Sequence, residues 1–157
     1  MAGYDMAEVT LDFLRNGTDA ASVRALVLDG EANILEAGDL TEEILLSAIE
    51  KRRNAEDKDV VLALSVQDAG ERETGPNLYE QFVVIRIYDR NAGYKNIRKV
   101  KLALMKVIRY QFADFDDEAN MGLLEAMFND RTGHRYDRQY NIEYEAITFR
   151  CAVMRGD

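Results

Sequence analysis

Apolar positions along the chain switch between helical and strand periods, and the order of those segments carries most of the information. In residues 5–15, Met6, Val9, Phe13 and Leu14 recur at helical spacing and Asn16-Gly17 stops the pattern, which predicts a short amphipathic helix. Residues 23–28 (VRALVL) form a brief apolar run closed by Asp29-Gly30, and a strand and one helical turn both fit it. Leu40, Ile44, Leu45, Ala48 and Ile49 then mark one face of a predicted helix over residues 40–53. Asp39 and Glu42 have the spacing of a capping box at its start, and Lys51, Arg52 and Arg53 suit the dipole at its end.

Two strands follow. In residues 60–67 (VVLALSVQ), Leu62, Leu64 and Val66 share a face, and residues 78–88 (LYEQFVVIRIY) are apolar on both faces around Phe82 to Ile87, as in a central strand. The polar stretch between them, residues 68–77 (DAGERETGPN), predicts a hairpin with a long exposed tip. A helix over residues 96–112 comes next, with Asn96 as its cap and Ile97, Val100, Leu104, Val107, Ile108 and Gln111 on one face. Its other side carries Arg98, Lys99, Lys101, Lys106 and Arg109. The segment MGLLEAMF predicts a short helix ending near Asn129.

The last element, a strand over residues 140–154, changes phase. Tyr140, Ile142 and Tyr144 alternate on even positions, whereas Ile147, Phe149, Cys151 and Val153 alternate on odd ones. Either a β-bulge near Glu145-Ala146 restores one buried face, or the strand buries one face early and the other late, for instance against a neighbouring subunit. No repeat or linker divides residues 1–157. The expected fold is a single α+β domain: a small, mostly antiparallel sheet with a long β-hairpin, packed against amphipathic helices.

Composition narrows the chemistry. Twenty-nine acidic against 20 basic residues give a net charge of −9, the opposite of a free nucleic-acid binder. One Cys and one His leave no internal disulfide, cysteine-rich zinc site or multi-His centre. No apolar run approaches the roughly 18 residues of a spanning helix, and the start of the chain lacks a secretory pattern, so a cytosolic setting without membrane contact is expected. Phosphate-cradling glycine motifs and a GxSxG elbow are missing. His134 lies in a polar segment and reads as an exposed loop residue, and Cys151 lies on the apolar phase of the last strand and reads as a buried, inert thiol. The cluster Asp114, Asp116, Asp117 and Glu118 lacks the spacing of a calcium loop and reads as a solvated acidic turn. Fourteen arginines against six lysines, interrupted by acids around Arg131, Arg135 and Arg138, suit ion pairing at interfaces. No enzyme activity, cofactor or metal is expected.

The N-terminal helix, the hairpin VVLALSVQ…LYEQFVVIRIYDR, the helix NIRKVKLALMKVIRY and the late strand YNIEYEAITFRCAVM together resemble tail terminator (tail completion, neck) proteins of long-tailed double-stranded-DNA viruses. The resemblance spans residues 6–154. Its local marks are Ile-Tyr-Asp-Arg before a turn and helix, and Tyr-Asp-Arg-Gln-Tyr before the final strand. Residues 23–53 form a longer middle segment than a minimal member has. The resemblance implies a virion protein of the neck and tail, assembled in the host cytoplasm as a six-membered ring at the head-proximal end of the tail tube. Such a ring stops tube growth and joins tail to head; its partners are further copies of itself, the tail tube protein and the head completion protein, with DNA only as passing cargo. In that setting the hairpin loop residues Asp68, Glu71, Arg72, Glu73, Pro76 and Asn77 are candidates for an assembly interface. Asp114, Asp116, Asp117 and Glu118, or Glu71 and Glu73, are candidates for an acidic lumen that repels passing DNA. Two alternatives remain: a small dimeric α+β interaction or regulatory module, and a metal-dependent nuclease using Glu56, Lys58 and Asp68.

Overall fold

The computed structural model of the chain describes residues 5–55, 60–76, 78–89, 94–110, 123–131 and 135–154. Its helices are α1 (Met6–Asn16), α2 (Ala21–Arg24), α3 (Glu42–Ala55) and α4 (Tyr94–Tyr110). Its strands are β1 (Ile34–Glu36), β2 (Ala63–Gly75), β3 (Leu78–Tyr88), β4 (Leu123–Arg131), β5 (Arg135–Asp137) and β6 (Ile142–Met154). The strands form one sheet in the order β1-β2-β3-β6-β4, with β5 also paired to β6. Every pairing is antiparallel except that of β1 with β2. The expected α+β class and the mostly antiparallel sheet are therefore both present.

The strand register sorts side chains onto two faces. Leu64 and Val66 of β2, Val83, Ile85 and Ile87 of β3, and Ile147, Phe149 and Cys151 of β6 share one face, and all are buried. Helices α1, α2 and α4 cover it: Met6, Phe13, Leu14, Val23, Ile97, Val100, Leu104, Val107 and Ile108 join the same core. Each such side chain, fully buried, contributes about 1.5–3 kcal/mol, offset by the entropy of ordering the chain. The other face carries Ala63, Tyr88 and Ile142, which pack with Leu40, Leu45 and Ala48 from α3 and the segment before it. The sheet thus has a separate helical cover on each side.

This arrangement explains the phase change in β6. The pairing of β3 with β6 runs without interruption from Leu78↔Met154 to Tyr88↔Tyr144, so there is no bulge at Glu145-Ala146. The second option holds, although the early face is not against another subunit. Ile142 meets α3 of its own chain, and Ile147, Phe149 and Cys151 turn toward α1 and α4. Glu145, at the changeover, is buried on the α4 side, where Lys101 Nζ donates to it at 3.3 Å.

Helix termini also differ from expectation. Asp39 lies in a 3₁₀ turn, Ala37–Asp39, and Thr41 Oγ1 instead accepts from the backbone N–H of Ile44, so Thr41 caps α3 and no Asp39–Glu42 box forms. Helix α4 begins at Tyr94, which puts Asn96 inside its first turn as a buried residue and not at the cap. At the end of α1, Gly17 has an ordinary φ of −66°, and its role is close approach. A Cβ there would lie 2.6 Å from the Phe13 carbonyl oxygen, which accepts the Gly17 N–H.

Residues 23–28 combine both readings left open for them. Helix α2 takes up Val23 and Arg24, and Val27 then forms a parallel bridge with Val61. The segment MGLLEAMF is not a helix over its described part: β4 runs from Leu123 to Arg131 and pairs antiparallel with β6. The β6 edge needs a partner there, and pairing overrides the helical pattern of so short a stretch. Among the described residues, no helix is long and apolar enough to cross a membrane.

Cys151 is fully buried, and burial alone pushes its thiol from 9.0 up to about 12. A thiol reagent at pH 8 is expected to label native protein at least a hundredfold more slowly than protein unfolded in urea. Because the folded-state value is the raised one, the stability linked to this thiol is intact below about pH 9 and is lost as pH rises toward about 12. Urea midpoints at pH 8 and pH 10.5, compared between the wild type and Cys151→Ala, measure that slope.

Candidate assembly surface

The hairpin is built differently from the loop that its polarity implies. Strand β2 does not stop at Gln67 but continues to Gly75, pairing with β3 as far as Gly75↔Leu78. Asp68, Glu71, Arg72 and Glu73 are therefore strand residues, not loop residues, and Pro76 lies in the turn. Asn77 lies outside the described residues. The polar composition has an edge-strand cause. Strand β1 pairs only with Leu64, Ser65 and Val66, so among the described residues nothing pairs with the outer side of residues 67–75. Charged side chains are the usual protection for such an edge.

A register shift between Asp68 and Gly70 bends the strand where β1 ends. Gly70 has φ +123°, a conformation that L side chains rarely adopt, and its N–H donates to Asp68 Oδ1 at 2.8 Å. Beyond the bend, the expected interface residues divide between the two faces of the sheet. Glu71 turns toward the α1 side, where Gln81 Nε2 donates to it at 3.0 Å and Gln81 Oε1 accepts the Met6 N–H at 2.9 Å. Arg72 turns the other way and pairs with Glu80, to which Arg150 Nη1 also donates at 3.2 Å. Glu73 is exposed. Glu80, Gln81 and Arg150 complete this surface without having been read from the sequence. Their only signal is a polar pair, Glu80-Gln81, and a single Arg150 within two otherwise largely apolar strands.

A second feature on the same face as Arg72 lies nearer α3. A cleft of about 330 Å³ is lined by Ser65, Gln67, Arg86, Tyr88, Asp137 and Tyr140, among others. The Arg86 guanidinium lies 5.3 Å from the centre of the Tyr144 ring. Its interaction with the Tyr88 hydroxyl holds the Arg86 pKa above its ordinary value. Burial pushes the Tyr88 phenol up, with Arg86 pulling the other way. Tyr88 packs edge-on against Tyr140, whose hydroxyl donates to the Leu40 carbonyl at 3.1 Å. The arrangement offers a fixed cation between phenol rings, suited to a carboxylate or amide from a partner. No local motif marks it, because its members come from four separated segments.

The remaining candidates are placed as follows. Asp114, Asp116, Asp117 and Glu118 of the expected lumen, and Glu56, Lys58 and His134, lie outside the described residues. Asp68 is committed to the bend in β2. Among the described residues, no group of three His, Cys, Asp or Glu could hold a metal ion.

No family model matches the chain, and no curated protein matches it. Among solved structures, it is similar to a chain in the virion of a native gene transfer agent particle, at 12% sequence identity and a TM-score of 0.49, covering 94% of this chain and 92% of that one.

Proposed function

We propose that the protein is a structural component of a virion and, more narrowly, a tail terminator. In this reading, copies form a ring at the head-proximal end of the tail tube, stop its growth and join it to the head. One observation carries the reading: among the described residues, 67–75 form a charged strand edge that extends past the end of β1, at the margin of a sheet with helices on both faces. A surface of this kind suits a neighbouring copy, since head-to-tail contacts close into rings when the rotation fits. The order of helix, hairpin, helix and late strand is the order that tail terminators share. The tail tube protein and the head completion protein are the partners this role requires, and an acidic lumen around Asp114 to Glu118 belongs to the same proposal. The Arg86 cleft favours a second reading, a small dimeric interaction module that grips a partner's acidic or amide group.

Native mass over a range of concentrations, with negative-stain images of the same samples, tests both. Rings of about six copies with a pore wide enough for a duplex support the terminator; a tight closed dimer supports the module. Reversing the charge of the exposed edge residue Glu73 with Glu73→Lys is expected to leave the monomer folded by circular dichroism and to impair joining of heads to tails in an assembly assay. Normal joining by that variant removes the edge from the interface.

A further inference from the structure

Large apolar side chains are exposed at three described positions, Leu46, Leu102 and Tyr136. Two of them are set alike on opposite sides of the molecule. On α3, Leu46 stands between Glu42 and Glu50, four residues away on either side, with Glu43 beside them. On α4, Leu102 stands between Arg98 and Lys106, again four residues away on either side, with Lys95 one turn before. A spacing of four residues places each triplet on one ridge of its helix, charges roughly 6 Å before and after the leucine. Glu42, Glu43, Glu50, Lys95, Arg98 and Lys106 are all exposed, and no ion pair takes up their charges among the described residues. A shallow groove along α3 is lined by Glu42, Glu43, Leu46, Ser47 and Glu50.

One chain cannot bring the two stripes together, because α4 packs with the core on one face of the sheet and α3 with the cluster on the other. We propose that they meet between copies: α3 of one copy seats on α4 of the next, Leu46 against Leu102, with Glu42 and Glu50 facing Arg98 and Lys106. The triplets are symmetrical about their leucines, so the charges match with the helices parallel or antiparallel. Ridges of this four-residue spacing cross at about 50°, which carries the outlying Arg53 away from Lys95. The same pattern disfavours a two-fold contact, since α3 on α3 or α4 on α4 would oppose like charges. The contact is therefore head-to-tail, and it names the seam of the ring on which this inference rests.

Disulfide trapping in the full chain tests it. Oxidised Leu46→Cys/Leu102→Cys protein is expected to give a ladder of linked multimers that ends at a closed ring, while neither single variant passes beyond traces of dimer. Arg98→Glu/Lys106→Glu is expected to raise the concentration needed for assembly at least tenfold, and adding Glu42→Lys/Glu50→Lys to the same chain to restore it. A ladder that never closes supports the seam and overturns the ring. Assemblies that form normally, give no ladder and ignore the charge reversal overturn the seam and leave the ring. Abundant dimers from either single variant overturn the head-to-tail geometry, and a monomer without a ladder at any concentration overturns both proposals.

Discussion

Arg52→Met is expected to lower the stability of the monomer by about 3–5 kcal/mol, read from the urea midpoint of unfolding. Arg52 closes α3 and its guanidinium pairs with the Asp89 carboxylate just past the end of β3; the two side chains are 7% and 0% exposed. The backbone fixes Asp89 as well, its N–H donating to the Glu143 carbonyl at 3.1 Å. The carboxylate therefore cannot swing out to water when its partner is removed. Methionine has a similar reach and keeps the packing of the arginine stem, so the loss reports the stranded charge and not a cavity. Asp89→Leu in the same chain is expected to recover more than half of the loss, because a buried pair replaced as a unit costs little. Failure of that rescue would mean that the Asp89 carboxylate has another structural task.

Phe149→Ala is the second large effect, about 3–5 kcal/mol by thermal or urea unfolding. Phe149 is fully buried, sits opposite Val83 of β3 and Phe128 of β4 in register, and belongs to the core under α1 and α4. Neighbouring strands on both sides hold the backbone, which prevents the site from collapsing into the space left. Thr148, the adjacent residue, is half-buried on the other face. Thr148→Ala is expected to cost under about 1 kcal/mol. A similar loss from both would contradict the assignment of faces in β6. A loss of 3–5 kcal/mol is a large part of the roughly 5–15 kcal/mol that ordinary domains possess, so the Phe149 variant is best expressed at low temperature.

The readable parts of this fold are those in which one physical signal dominates. Helix α4 was legible because Ile97, Val100, Leu104, Val107 and Ile108 hold a single buried stripe over about three turns. The phase change in β6 was legible as a fact, since the apolar set moves from even to odd positions. Its cause was not, because only the tertiary packing places α3 across the sheet from α4. The hairpin shows the opposite limit. Residues 68–75 look like a loop because charged strand edges and exposed loops share a composition, and the end of the β1 pairing at Val66 is invisible locally. Strands β1 and β5, three residues each, are too short for any periodicity to register. The Arg86 cleft and the Glu80–Arg72–Arg150 group assemble residues distant in the chain, and no spacing rule connects them.

The placement of β6 has a consequence for timing during synthesis. Strands β3 and β4 are not neighbours but flank β6, and both the core under α4 and the cluster under α3 draw residues from it. A nascent chain that has emerged only through residue 137 has the four described helices and five of the six described strands, yet it lacks the strand that joins them. Closing the sheet therefore waits for residues 142–154 to leave the ribosome, more than 50 residues after β3. Until then both covers lack β6 residues they pack with, Ile142 on the α3 side and Ile147, Phe149 and Cys151 on the α4 side. If α3 and α4 meet between copies as proposed, incomplete copies are expected to be kept out of that assembly.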